Sequence, residues 1–344
     1  FLIFLPQRTH SQDTLFRVFE LGEVRVHAGR KLPTSVELTQ EEIGRLNHTD
    51  MARSVSELPG IVFTHTGSRN ENSILVRGFD TRQVPLLIDG IPVYISYDGN
   101  IDLSRFLSWD YSRISVSRGF TSLLYGPNIM GGAVNLVSYV PDQSFETDAY
   151  AGLTLGNQGY NGHLENITVG SAGEKYFLQT SFSNYSLDHW DLSNRFEPES
   201  SEKGGRRDNS FEEDRSVNLR FGYTPRGEDK YVITFLRQDG AKGIPVYDGQ
   251  FQQQRWWRMP EWDKSSLYFN SSTRLNRSNT LISRLYYDSF YNLLESFDDS
   301  TFTSQQFRYA FRSVYDDESY GGSIQLNNQA IKNNHFGLAL HFKR

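Results

Sequence analysis

From residue 145 to residue 344 the sequence alternates side-chain character at a period of two, segment after segment. Ala149, Ala151, Leu153 and Leu155 alternate with Tyr150, Gly152, Thr154 and Gly156. Tyr176, Leu178, Thr180 and Phe182 alternate with Phe177, Gln179, Ser181 and Ser183. Val217, Leu219, Phe221 and Tyr223 alternate with Ser216, Asn218, Arg220 and Gly222, and Phe336, Leu338, Leu340 and Phe342 with Gly337, Ala339 and His341. Successive strand side chains point to opposite faces, so each segment has one apolar and one polar or small face. Further strands are expected near 161–170, 229–238, 264–275, 279–292 and 315–329. The pattern is less clean in 279–292, where Ile282 and Phe290 share the face of Arg284 and Asp288. Most segments match the ~9–11 residues that a tilted strand needs to cross a bilayer. Tight turns at 156–159 and 225–228 and long connections at 189–214 and 240–263 suggest short turns on one side and long loops on the other, as in an outer-membrane barrel. A soluble sandwich gives the same alternation but sorts its loops this way less often.

Composition leaves the same two readings. Aromatic residues make up 14% of the chain, yet mean hydropathy is −0.55. No apolar run reaches the ~18 residues of a spanning helix. A soluble sugar-binding β protein fits these values, and so does a transmembrane barrel, whose hydropathy averages out along each strand. The chain has no cysteine, which excludes disulfides, thiolate metal sites and a cysteine nucleophile. A formal net charge of −6 argues against a nucleic-acid partner. Phe1-Leu2-Ile3-Phe4-Leu5 reads as the end of a signal-peptide apolar region, so residues 1–12 are expected to be a signal remnant and 13–34 a polar lead.

Residues 35–141 are compact and mixed. Leu38 to Leu58 reads as a helix, with Thr39 and Glu42 in capping-box spacing and Pro59-Gly60 as its stop. Short strands follow at 61–63, 74–76, 84–88, 91–94, 114–116 and 133–137, with short helices at 101–109 and 122–126. Asp89-Gly90 between two apolar runs is a strong hairpin signal, because a type I′ turn needs positive φ at both central residues.

Between residues 58 and 137 six motifs stand in order: Leu58-Pro59-Gly60-Ile61, Ile74-Leu75-Val76-Arg77-Gly78-Phe79, Leu86-Leu87-Ile88-Asp89-Gly90-Ile91-Pro92-Val93, Arg113-Ile114-Ser115-Val116-Ser117-Arg118-Gly119, Leu124-Tyr125-Gly126 and Gly131-Gly132-Ala133-Val134-Asn135-Leu136-Val137. Each is weak alone. Together, over residues 19–140, they resemble the plug domain of TonB-dependent outer-membrane receptors. Ala133-Val134 stands where the family usually has an isoleucine, a mild departure. The resemblance implies a small α/β plug domain at 35–141, followed at 142–344 by an antiparallel transmembrane β-barrel of the roughly 22-stranded type, truncated here to about half.

The resemblance also implies a function without catalysis: active import of a scarce ligand across the outer membrane of a Gram-negative bacterium. The cargo expected is a ferric siderophore or other iron chelate, with cobalamin, haem and oligosaccharides as alternatives. The partners implied are TonB, with ExbB and ExbD, and outer-membrane lipid, around a monomer that needs no cofactor. A passive porin or adhesin barrel and a soluble carbohydrate-binding β protein are the readings of other classes. The TonB box is placed at Phe19, Glu20, Leu21, Gly22, Glu23 and Val24, with Asp13 to Val18 as runner-up; strand addition draws on main-chain hydrogen bonds and tolerates varied side chains. Arg77 and Arg118 are read as strand residues. In the family such arginines meet barrel carboxylates, the plain alternative being a surface ion pair. Arg69, Tyr94 and Tyr97 on the apex loops are candidate ligand contacts.

Other constellations are absent or weak. No His-Glu-x-x-His, Gly-x-Ser-x-Gly or phosphate-binding glycine loop occurs. The eight histidines are scattered, and the acidic runs Glu212-Glu213-Asp214 and Asp316-Asp317-Glu318 read as solvated strand ends. Trp256 and Trp257, in an aromatic run ending at Trp262, are read as a ligand-contacting loop or as part of an interfacial girdle.

Overall fold

The computed structural model describes residues 35–66, 69–95, 99, 101–118, 129–157, 159–199, 201–247, 254–332 and 334–344. The lead at 13–34, including both TonB box candidates, lies outside the described residues, as do Tyr97, Gly119, Tyr125 and Gly126.

Strand β1 (Ser35–Thr39) runs into helix α1 (Gln40–Leu46). The expected capping box is present: Thr39 accepts from the Glu42 amide, and the Glu42 carboxylate accepts from the Thr39 amide at 2.8 Å. The single helix expected over 38–58 is two. Asn47 takes the left-handed conformation at φ 53° and ends α1. Asp50 then caps α2 (Met51–Ser56), its Oδ1 accepting from the Arg53 amide at 3.0 Å. Apolar spacing continues across a break that one asparagine and a second cap impose.

A hairpin follows, β2 (Ile61–Thr66) with β3 (Glu71–Val76). Strands β4 (Leu86–Ile88), β5 (Ile91–Pro92), β6 (Tyr111–Arg118) and β7 (Gly132–Ser138) join β1 in a five-stranded sheet of order β1-β6-β7-β4-β5, in which β4 and β7 are parallel. The Asp89-Gly90 turn forms as expected, at φ 50° and 77°, and joins β4 to β5. The helix expected at 101–109 is two 3₁₀ turns, Leu103–Arg105 and Ser108–Asp110. Ile43, Met51, Val55, Ile74, Leu86, Ile114 and Leu136 form the core of this unit.

The remaining strands form one nine-stranded antiparallel sheet in sequence order: β8 (Glu146–Gly156), β9 (Gly159–Ala172), β10 (Tyr176–Leu187), β11 (Glu212–Tyr223), β12 (Lys230–Ile244), β13 (Trp256–Asn276), β14 (Asn279–Phe297), β15 (Phe311–Asn328) and β16 (Phe336–Lys343). Its burial is inverted relative to a soluble sheet. Leu178, Phe182, Leu219, Phe221, Ile233, Phe235 and Leu267 are exposed, while Gln179, Ser181, Asn218, Arg220, Thr234, Lys264 and Asn270 are buried against the mixed unit. Apolar-out and polar-in is the arrangement of a barrel in lipid. Where the wall meets the unit's apolar core it turns apolar inside as well: Leu236, Trp262, Tyr268 and Phe290 join that core. This accounts for Phe290 on the polar face of 279–292.

Two expectations about the connections fail. Antiparallel succession puts the β8–β9 turn at the same sheet end as the loops 188–211, 245–255 and 298–310, so one tight turn sits among the long connections. Strand β13 also begins at Trp256, inside the loop expected at 240–263, so Trp256 and Trp257 are strand residues facing Phe297 and Ser296 of β14.

Candidate functional site

The mixed unit is seated on the inner face of the sheet by buried charged contacts. Arg105 donates from Nη1 to Asp214 Oδ1 of β11 at 2.9 Å. Lys242 of β12 donates from Nζ to Asp102 Oδ2 and to the Asn70 carbonyl, each at 2.5 Å. Arg220 of β11 donates to Asp89 Oδ2 at 3.0 Å and to the Tyr139 carbonyl at 2.5 Å. Ser183 and Ser216 donate their hydroxyls to the two oxygens of Asp110, both at 2.5 Å. Arg105 and Lys242 have no exposed side-chain surface. Each ion loses hydration on burial, so such pairs add little net stability, but an unmatched partner is strongly unfavourable. The pairs therefore fix how the unit seats more than how tightly it is held.

Local charge follows from these contacts. Burial would raise the Asp102 carboxyl, but Lys242 and Arg105 outweigh it and hold the group below its ordinary range. Burial raises Asp110 against the opposing serine hydrogen bonds. Asp50 is pushed up to about 6, chiefly by burial, against the Arg53 amide hydrogen bond and guanidinium.

A cleft of about 640 Å³ opens between the unit and β8–β11, toward the sheet end with the long connections. The unit contributes Asn47, Asp50, Arg53, Phe63, His65 and Asn72; the wall contributes Tyr150, Tyr185, His189, Trp190, Asp191 and Glu212. Trp109 stacks on Tyr150 at 4.1 Å, and the Tyr150 hydroxyl donates to Asn47 Oδ1 at 2.8 Å.

The motif residues come together mostly inside the unit. Asp89 Oδ1 accepts from the Ser138 amide at 3.0 Å and Oδ2 from the Ser138 hydroxyl at 2.7 Å, while Asn135 Oδ1 accepts from the Gly90 amide at 2.9 Å. The side chain of Phe79 packs so closely on Gly131 that a Cβ there would overlap it. Gly132 pairs with Arg118 across β6 and β7. The Pro59-Gly60 turn follows α2, whose C-cap is Glu57, and the Gly60 carbonyl accepts from the Arg77 amide at 3.2 Å. Arg77 is not in a strand. It shares with Gly78 a turn between Val76 and Phe79, at φ 52° and 86°, and its side chain is exposed. Among the described side chains, Arg105, a residue without a motif around it, meets a wall carboxylate at Asp214.

Of the residues expected to touch ligand, the described ones, Arg69, Tyr94, Trp256 and Trp257, do not line the cleft. Arg69 lines a separate 40 Å³ cavity beside Glu71 and Trp262, and the Tyr94 ring lies 3.0 Å from the Lys343 ammonium. Trp257 packs with Ile244, Met259 and Leu294, and Trp256 sets its edge against Phe302. Arg105, Asp214, Arg220 and Lys242 escape sequence reading because their partners lie 109 to 140 residues away. One signal is present: Arg220 stands on the polar face of its strand, where an inward charge needs a partner.

Residues 28–133 match the family model described as the TonB-dependent receptor plug domain. Among solved structures, the copper transporter OprC is 14% identical, with a TM-score of 0.69, over 90% of this chain and 46% of its own. A mutant form of the ferric enterobactin receptor PfeA of Pseudomonas aeruginosa is 14% identical, with a TM-score of 0.66, over 96% of this chain and 50% of its own. The FrpB iron transporter of Neisseria meningitidis is 14% identical, with a TM-score of 0.69, over 90% and 48%. The chain thus spans about half the length of these structures. Residues 28–133 are therefore a TonB-dependent receptor plug domain, followed in this chain by antiparallel strands with the barrel fold of TonB-dependent receptors.

Proposed function

We propose that this protein imports a scarce ligand across the outer membrane of a Gram-negative bacterium, powered by TonB with ExbB and ExbD. One observation carries the reading: the lumenal face of the wall is occupied by a plug held through matched buried charges. A passive porin needs an open lumen, and a filled one needs work to clear it. No catalytic group is required for this. Residues 35–141 act as the plug, residues 142–344 form barrel wall, and Phe19 to Val24 engage TonB by strand addition. The receptor works as a monomer, with the cleft facing the exterior, because long loops lie on the outer side of such barrels.

The cargo proposed is a ferric siderophore or other iron chelate. It is supported by neighbours named as a ferric enterobactin receptor and an iron transporter, which share the fold at low identity, while another neighbour is named as a copper transporter. The test is a titration of the purified receptor in detergent with ferric siderophores of several chemical types, haem, cobalamin and oligosaccharides, followed by tryptophan fluorescence. Saturable submicromolar binding of one ferric chelate, with TonB-dependent uptake of the same compound, is the expected result. Binding confined to cobalamin, haem or a sugar would replace the cargo and keep the import reading. Uptake unchanged without TonB would overturn the import reading.

A further inference from the structure

The cleft has a second chemistry at its rim. Strand β9 carries a bulge at Asn161, between the pairs Thr154–Gly162 and Leu155–Tyr160. The bulge carries this residue under the start of the loop between β10 and β11, where its Nδ2 donates to the His189 carbonyl at 3.3 Å. Its Oδ1 is buried and accepts nothing from the described residues. The imidazole of His189 is buried too, and its Nε2 makes no hydrogen bond among the described residues. That nitrogen lies 3.3 Å from Asp191 Oδ1. Asp191 Oδ2 and Asn161 Oδ1 converge over Gly156, both closer than a Cβ at that position would tolerate. Any other residue at 156 would fill the space these oxygens share.

Two buried acceptor-type atoms without donors among the described residues, beside a carboxylate, are unfavourable as they stand. Protonation of the histidine would satisfy Nε2 but leave the amide oxygen unmatched. A cation satisfies both, with the neighbouring Asp191 carboxylate supplying negative charge. Two donors at about 2.1 Å from a tetrahedral centre sit ~3.4 Å apart, close to the His189–Asp191 separation. One imidazole with two oxygen donors and no thiolate suits a borderline divalent ion of the nickel, cobalt, copper or zinc group. We infer that His189 Nε2, Asp191 and Asn161 Oδ1 form a divalent transition-metal site at the cleft rim, pinning the β10–β11 loop to the β8–β9 hairpin. This site is independent of the cargo reading: it binds the bare ion and needs no TonB.

Trp190 follows the first ligand and lines the same cleft, so it reports on the site. The receptor, stripped with chelator and kept in detergent, is titrated with Ni²⁺ while tryptophan emission is recorded. Saturable quenching at micromolar Ni²⁺ is expected, and Trp190→Phe should remove it. His189→Gln should weaken binding roughly tenfold or more, the usual loss when a metal site is disturbed. Asn161→Asp, which adds charge to the donor set without adding bulk, should tighten it, and serves if the histidine variant does not fold. No saturable quenching in the parent protein, or an affinity unchanged in His189→Gln, would overturn the site. So would an affinity unchanged in Asn161→Asp.

Discussion

Asp50 answers two opposing demands. Its carboxylate caps α2 through the Arg53 amide, yet burial beside the cleft has pushed its pKa up to about 6. The ordinary value for this group is 3.8, so between pH 4 and 6 the folded plug binds more protons at this site than the unfolded chain does. The sign follows: the Asp50 charge destabilises the plug at neutral pH, and stability rises as pH falls through about 6 toward 4. Asp50→Asn keeps a capping oxygen and removes the charge. It should raise plug stability at pH 7 by roughly 2 kcal/mol, with the gain shrinking to nothing near pH 4; denaturant midpoints of parent and variant across this range measure it. Asp102 works in the opposite sense, because its pKa is held low and its contribution is lost on acidification. At the plug–wall contact, Asp214→Ala leaves Arg105 buried without its nearest counter-charge. That should destabilise plug seating by about 3–5 kcal/mol, and Arg105→Ala in the same chain should recover much of it. Protease protection of the plug in all three proteins reads the cycle, and equal losses in the single and double variants would refute the pairing.

At the scale of elements, the β4–β5 hairpin shows turn chemistry and seating sharing residues. Asp89 holds the first positive-φ position of the turn, anchors Ser138 of β7 and receives Arg220 from the wall. Two substitutions separate these roles. Gly90→Ala puts a side chain at φ 77° and should destabilise the plug by about 1 kcal/mol or more without touching the wall pair. Asp89→Asn keeps a residue that tolerates the left-handed region but takes the charge from Arg220, so it should loosen plug from wall with the hairpin intact. Amide exchange at β4 and β5, compared with protease access to the whole plug, distinguishes the two. This hairpin is readable in the sequence because all its determinants are local. The same holds for the Thr39–Glu42 cap and for the alternating faces of β10, β11 and β16. The break at Asn47 is not readable, since apolar spacing runs through it and only the left-handed cap, fixed by packing, interrupts the helix. Trp256 and Trp257 are misplaced by sequence reading because β13 extends beyond a bilayer's worth of residues, and length alone does not show it. Arg220 on a polar face signals that a partner is needed, but which groups pair, and the cleft itself, are beyond local reading, as each joins segments brought together only by the docking of plug on wall.

For the molecule as a whole, the decisive property is which face of the sheet meets which solvent. Leu219 and Asn218 are neighbours on β11, yet Leu219 is 45% exposed on the outer face and Asn218 is 2% exposed on the inner. In a soluble β protein, the outer position would accept charge at little expense and the inner position would be core. In lipid the preferences invert. Leu219 lies within the outward run Val217, Leu219, Phe221 and Tyr223, flanked by Arg215 toward the loop end. Leu219→Arg should therefore destabilise the receptor by about 2–4 kcal/mol, the penalty for a cation near the bilayer midplane. Neither amide atom of Asn218 finds a hydrogen-bond partner among the described residues. Asn218→Val removes two unsatisfied buried groups and should be neutral or stabilising. Both variants are read by urea unfolding of receptor reconstituted in phospholipid vesicles. Unfolding of Leu219→Arg at the parent midpoint would mean that the outer face does not sit in hydrocarbon, and the membrane assignment would fall with it. The predicted order, with the inner variant at or above the parent and the outer variant well below it, arises only if lipid surrounds the apolar face and the plug covers the polar one.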